Sequence, residues 1–318
     1  MRLYSALLAA AAASVMAAGP WGKGLVTPGL PLVDPPQPLA QTVRTKYVNL
    51  NGTKLAYRQF GKPIGNPIIY FTHFRGDMDT TDPLLFNYIA QYREVILFDN
   101  AGVGHSEGIV QNSVEGMGDT AVALIQALNV SKVVPLGFSL GGQIAQYVSW
   151  QYPELVEKAV FSGTIPGPGP GAATPDPAVL EAAAQPHEPT VEDFLFLFFS
   201  PTETSQAAGR AWFQRRPDRR VNDETQSTPL AEAGITAQVT AINTFASSPD
   251  NFARLQDIKV PVLVTSGHTD IMLVTVNSFV LQQQLPYAYL NIYPDSGHGH
   301  LFQFPKAYAE ALRDFLNG

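Results

Sequence analysis

Between residues 67 and 294 the chain repeats one rhythm, a short apolar run followed by a stretch with helical spacing. The runs are PIIYFTH (67–73), EVILFD (94–99), KVVPLG (132–137), KAVFSG (158–163), VPVLVTSG (260–267) and YLNIYP (289–294). Several are apolar at consecutive positions, as expected of strands covered on both faces. Between them, GDTAVALIQALNV (118–130) has apolar residues at 122, 125 and 128, and LGGQIAQYVSWQYP (140–153) has them at 144, 147 and 148. AYAEALRDFLNG (307–318) ends a helical pattern on glycine. This alternation predicts an α/β fold with a mostly parallel central sheet flanked by helices. Ahead of it, KYVNLNGTKLAYRQFG (46–61) alternates about Asn51-Gly52, a hairpin signal.

The rhythm breaks between about 164 and 255. TIPGPGPGAATPDP is expected to be a flexible entry, and VEDFLFLFFS, SQAAGRAWFQRR and ITAQVTAINTFAS have helical character with no strand among them. The expected organisation is a core from 46–163 and 256–318, with a helical lid from 164–255 over the sheet's C-terminal edge. Residues 19–45 form a Pro/Gly-rich arm. Residues 1–18 have one early arginine, an Ala-rich apolar run and small residues at Ala17 and Ala18, the layout of a signal peptide. Export or secretion is the expected localisation, with a cytoplasmic protein as the alternative. Asn51 and Asn129 begin glycosylation sequons, usable only on a eukaryotic secretory route.

Composition narrows the chemistry. With 45% apolar and 15% charged residues the chain can bury a large core, and its net charge of −7 disfavours nucleic acid as a partner. The basic cluster RRPDRR (215–220) suggests a solvated face, or alternatively an anion-binding patch. The absence of cysteine excludes a thiol nucleophile, disulfides and thiolate metal sites. No later segment reaches eighteen consecutive apolar residues, so no stable membrane span is expected.

G-x-S-x-G occurs twice, as GFSLG (137–141) and GHSEG (104–108). Ser139 follows a strand-like run directly and precedes a helical pattern directly, the setting of a nucleophile raised on a tight strand-to-helix turn. Glycines at 137, 141 and 142 answer the need for space where the chain doubles back. Ser106 lies in a glycine-rich loop, and the IVQNSVEGMG that follows has no helical period. It reads as a serine bonded to its own turn. Gly102-x-Gly104 lacks the third glycine and the helix of a dinucleotide site, and no phosphate-loop pattern occurs.

A serine nucleophile needs a base. His298, on the DSGHGH loop after the last strand, is the favoured candidate, and His300 is its alternative. Ser296, Gly297 and Gly299 suggest a mobile, tightly turning loop there. Asp270, after VPVLVTSG, is the favoured acid over Asp295, which more naturally caps its own turn. A metal held by His268, Asp270, His298 and His300 is disfavoured, because it leaves the serine turn unexplained. The backbone N–H of Leu140 and that of Phe74 are the candidate oxyanion donors. No cofactor is called for.

THFRG (72–76), FDNAGVGHS (98–106), GFSLGG (137–142), SGHTD (266–270) and SGHGH (296–300) occur together in one order. In this set the chain resembles the α/β-hydrolase superfamily, in particular its lid-bearing esterases, lactonases and cofactor-free haloperoxidases, over about residues 45–318. The resemblance implies the α/β-hydrolase fold with Ser139 as nucleophile, Asp270 as acid and His298 as base. It further implies a small-molecule ester or lactone as substrate. Perhydrolysis, C–C hydrolysis and a non-catalytic receptor role are its alternatives; oligomeric state is left open. Two positions depart from the family pattern. Thr72-His73 stands where His-Gly is common, and Ala101 stands where the family's loop usually has arginine.

Overall fold

The computed structural model describes residues 31–318, so the expected signal peptide and the first part of the arm, 19–30, lie outside the described residues. Eight strands form one sheet: β1 (Lys46–Leu50), β2 (Thr53–Gly61), β3 (Ile68–Phe71), β4 (Glu94–Phe98), β5 (Val134–Phe138), β6 (Ala159–Ser162), β7 (Val262–Gly267) and β8 (Ala288–Tyr293). Their order is β1-β2-β4-β3-β5-β6-β7-β8. The β1–β2 hairpin is antiparallel, β2 pairs antiparallel with β4, and every later pairing is parallel. The hairpin turns on Asn51 and Gly52, both at positive φ, which is why Asn-Gly suits it.

Strands β3, β5 and β6 are buried at every position, so both faces must be covered. One face packs on helices Pro83–Ile89 and Pro305–Asn317 through Phe86, Ile89, Leu312 and Leu316. The other packs on helices Val114–Ala127 and Leu140–Gln151 through Ala121, Ile125, Ala145 and Val148. The chain moves from β3 outward to β4, then crosses back over β3 to β5. Crevices open at the C-terminal ends of strands where a parallel sheet reverses its winding in this way. Here that places the loop after β3 beside the turn after β5.

Some local details differ from the sequence reading. The helix expected from 118 begins at Val114, because the Ser113 side chain accepts from the Gly116 amide and caps it. Gly118 hid that start. It sits inside the helix because a Cβ there would come within 2.4 Å of the Tyr147 ring. Helices Pro83–Ile89 and Val276–Gln284 were not anticipated. The segment expected to be a flexible entry is tied down: Asn277 brackets Ala173 with bonds to its N–H and its C=O, both at 2.9 Å.

Between β6 and β7 the chain forms helices Pro177–Ala183, Val191–Phe198, Glu203–Arg215, Glu232–Ser247 and Pro249–Arg254, with no strand. The basic cluster in this insertion is a solvated face only at Arg220. Arg215 forks onto the buried Asp82 at 2.9 and 2.6 Å, and Arg219 pairs with Glu224. Arg220 pairs with Asp218 at 2.6 Å.

Candidate active site

Ser139 follows β5 directly and caps helix Leu140–Gln151 with φ 59° and ψ −119°. A non-glycine residue held at positive φ costs about 1–3 kcal/mol and persists only where its surroundings impose it. The surroundings do so here. The Ser139 amide donates to the Ser162 carbonyl at 3.0 Å, and its own carbonyl accepts from Thr164 Oγ1 at 3.0 Å and from the Gly142 amide at 2.9 Å. The glycines leave no alternative. A Cβ at 137 would lie 2.1 Å from the Gly141 oxygen, one at 141 would lie 1.9 Å from the Phe71 oxygen, and one at 142 would meet Thr164 at 2.5 Å. The turn is thus wedged between β3, β6 and its own helix. The Leu140 amide, first in the helix, has no acceptor within it and adds to the positive end of its dipole.

Asp270 and His298 arrive on the loops after β7 and β8. His298 Nδ1 lies 2.8 Å from Asp270 Oδ2, with both side chains fully buried. A Cβ at Gly267 would fall 2.0 Å from the Gly297 oxygen, so the two loops touch backbone to backbone and glycine permits the pairing. The other Asp270 oxygen accepts from the Met272 and Leu273 amides. Burial pushes the Asp270 carboxyl up, but His298 and the Leu273 amide outweigh it and hold it below the ordinary carboxylate range. The His298 ring lies 4.7 Å from that of Phe138, the residue before Ser139, and its Nε2 is buried without a partner among the described residues. That nitrogen is available to a reacting group.

The alternatives go elsewhere. His300 bonds Thr265 through Nε2 at 2.9 Å and faces the His298 carbonyl through Nδ1 at 3.0 Å; burial drives its pKa down to about 3, so it is neutral. Asp295 does not cap its own turn but accepts from Thr202 and Thr204, tethering the insertion. The loop bearing His298 is packed rather than open. The Gly299 amide donates to the Phe198 carbonyl at 2.7 Å, and a Cβ at Gly297 would lie 2.8 Å from that same oxygen. Ser106 donates to the Asp99 carbonyl at 2.6 Å and accepts from the Ala56 amide, stapling its loop to β2. Among the described residues no group of three or more His, Cys, Asp or Glu is placed to hold a metal ion.

A cavity of about 270 Å³ opens above Ser139, lined by His73, Phe74, Phe198, Phe213 and Arg216 among others. Phe74 occupies a turn closed by the Gly76 amide on the His73 carbonyl at 2.9 Å. Next to it Arg75 is at φ 62° and is fastened to the insertion. Its amide donates to Gln238 Oε1, and its guanidinium donates to the carbonyls of Gln185 and His187, each at 2.8 Å. Farther along the loop, Ser227 of the insertion donates to Asp77 and Asp79 at 2.6 and 2.8 Å. Behind them Asp79 pairs with Arg58 and His105, both at 2.6 Å.

Sequence reasoning missed three contributors to this site. His73, noted only as a departure from a pattern, is buried among Phe138, Phe198 and Phe302. Burial, then the nearby charges of His298 and Arg216, depress its pKa to about 3, so it is a neutral wall residue. The Ser227 tie was also missed, and Arg216 was noted only as part of the basic cluster. The positions were visible in the sequence, but only the folded insertion brings them to the cavity.

A two-sided parallel sheet with a strained serine after its fifth strand, and an Asp–His pair after its last two, defines a hydrolase-type scaffold. The family model for the alpha/beta hydrolase fold matches residues 75–305, and the chain belongs to that family. Among solved structures it is similar to an alpha/beta hydrolase fold protein from Chitinophaga pinensis, with 36% identity and a TM-score of 0.77 over 87% of this chain and 98% of the other. It is 27% identical to 2-hydroxy-6-oxo-6-phenylhexa-2,4-dienoate hydrolase of Burkholderia cepacia over 72% of this chain and 79% of that protein. It is also 27% identical to poly(3-hydroxyalkanoate) depolymerase of Ectopseudomonas oleovorans, over 87% and 91%. These relatives are hydrolases by name, and the chain falls in that broad class. No helix among the described residues is long and apolar enough to cross a membrane.

Proposed function

We propose that the protein is a serine hydrolase that cleaves a carboxylic ester or lactone of a moderately hydrophobic small molecule through an acyl-enzyme. The observation that carries this reading is the strained Ser139 at the cavity, next in sequence to the ring on which the Asp270-paired His298 packs. Ser139 Oγ attacks the carbonyl carbon while His298 Nε2 takes its proton. The carbonyl oxygen, now negative, accepts from the Phe74 and Leu140 amides. Asp270 stabilises the imidazolium. The tetrahedral intermediate expels the alcohol, which takes its proton from His298. Water, deprotonated by His298, then releases the acid and restores Ser139.

Residues 164–255 act as a lid in this reading. Phe194, Phe198 and Phe213 line the cavity, whereas Phe199 packs on Trp212 and Phe196 faces solvent. The phenylalanine-rich segment therefore divides between substrate and core. The name of the Burkholderia relative favours C–C bond hydrolysis by the same groups as the second reading. Residues 1–18 remain a proposed export signal, tested by N-terminal sequencing of the mature protein. A panel of esters, lactones and a vinylogous diketone, assayed with the protein and with Ser139→Ala, tests the function. Ester turnover that vanishes in the variant supports it, and ester turnover unchanged in the variant contradicts it.

A further inference from the structure

The cluster RRPDRR places four arginines within six residues. Three have acidic partners: Arg215 on Asp82, Arg219 on Glu224 and Arg220 on Asp218. Arg216 has none. Its guanidinium lies over the rings of Phe213 at 4.1 Å, Phe194 at 4.8 Å and Trp212 at 5.5 Å, and it forms part of the same cavity wall as Ser139. Aromatic faces attract a cation but accept none of its in-plane N–H bonds. A guanidinium withdrawn from water with its fork of donors unfilled is poorly satisfied.

The acids whose charge reaches Arg216 are Asp77 and Glu188. Asp77 is already engaged. One oxygen accepts from the Asp79 and Thr80 amides and the Thr80 hydroxyl, the other from Ser227. Asp79, on the same wall, is held by Arg58 and His105. Glu188 is exposed at the rim. Of the two arginines on the cavity wall, Arg75 has its guanidinium on the carbonyls of Gln185 and His187 and Arg216 keeps its donors uncommitted, while the cavity acids are saturated or peripheral.

We infer that Arg216 is a specificity residue that receives a carboxylate carried by the substrate away from the bond that is cleaved. The inference rests on the reading of Ser139 as nucleophile and adds the substrate class: esters or lactones of acids that bear a second, ionised carboxyl group. A carboxylate fits because it accepts two parallel N–H bonds from one guanidinium. The rings beneath hold the plane in place, so the fork is oriented before substrate arrives.

The test compares nitrophenyl monoesters of succinic, glutaric and adipic acid with the same esters methylated at the far carboxyl. For the acid best matched to the cavity, Arg216→Gln is expected to lower kcat/KM for the free-carboxylate ester by about ten- to a hundredfold, the usual loss for a hydrogen-bonded charge. The methylated ester serves as the internal control for lid integrity and should change by less than about threefold. Arg216→Lys, which keeps the charge and loses the fork, should fall between. Equal loss on both esters, or none on either, overturns the inference. Calorimetric binding of the carboxylate ester to Ser139→Ala, with and without Arg216→Gln, asks the same question without turnover, and equal affinities overturn it. Unchanged turnover in Ser139→Ala contradicts the nucleophile reading instead, so the two failures are distinguishable.

Discussion

The two walls of the cavity are built by different means. The elbow wall, around Ser139, is made of backbone pressed against backbone: Gly137 against Gly141, Gly141 against Phe71, and Gly267 against Gly297 on the neighbouring loops. It belongs to the sheet. The opposite wall, the loop from His73 to Thr81, is held by hydrogen bonds to the insertion and by buried charge pairs. Arg75 grips the carbonyls of Gln185 and His187, and Ser227 grips Asp77 and Asp79. One wall is therefore rigid by exclusion, and the other is positioned by bonds that a change in the insertion would release. Such an arrangement lets the insertion-held side shift while Ser139 stays in place.

Breaking the elbow should have the largest effect. Gly141→Ala puts a methyl 1.9 Å from a backbone oxygen, and neither partner can move without shifting β3 or the helix. A loss of about 4 kcal/mol or more is expected, seen as insoluble protein or a collapsed denaturation midpoint. On the other wall, Asp79→Ala takes the nearest carboxylate from the buried Arg58, leaving Glu224 at 4.0 Å, and should cost about 3 kcal/mol by the same measurement. Ser227→Ala removes hydroxyl bonding to Asp77 but keeps its amide on Asp79. It should cost only about 1 kcal/mol in stability, and activity should fall more than stability does because the Phe74 loop is loosened. If Ser227→Ala proves as damaging as Gly141→Ala, the two walls are not distinct.

The smallest effect is a pH signature. The Asp79 bond raises the His105 pKa above its ordinary 6.5, so the folded state holds that proton more tightly. Its stabilisation is full below pH 6.5 and fades as pH rises through the raised value. Asp79 runs the other way. Burial pushes its carboxyl up, but His105 and Arg58 outweigh this and hold it low. Its contribution is present above pH 3.8 and is lost as pH falls through the lowered value. The stability gap between the protein and His105→Gln should thus be widest in mild acid and narrow toward alkaline pH. A gap that widens with rising pH would contradict the assignment.

The same contrast explains what was legible in the sequence. The strand runs, the Asn51-Gly52 turn, the serine elbow and the order of Asp270 and His298 all show locally, since each depends on a few adjacent residues. The early start of helix Val114–Ala127 was hidden because Gly116 and Gly118 obscure a helix that a capping serine and a neighbouring ring require. The Ser227 tie joins residues 148 and 150 positions apart, and no local pattern encodes it. RRPDRR was visible as charge, but which arginine keeps its donors for the cavity depends on where Asp82, Glu224 and Asp218 lie after folding.

The central claim is that Ser139, and not the second G-x-S-x-G serine, is the nucleophile. Peptide mapping after treatment with a fluorophosphonate probe tests it directly. A single adduct on the peptide bearing Ser139, absent from Ser139→Ala and still present in Ser106→Ala, is the predicted result. An adduct on Ser106, or labelling that persists in Ser139→Ala, would contradict it.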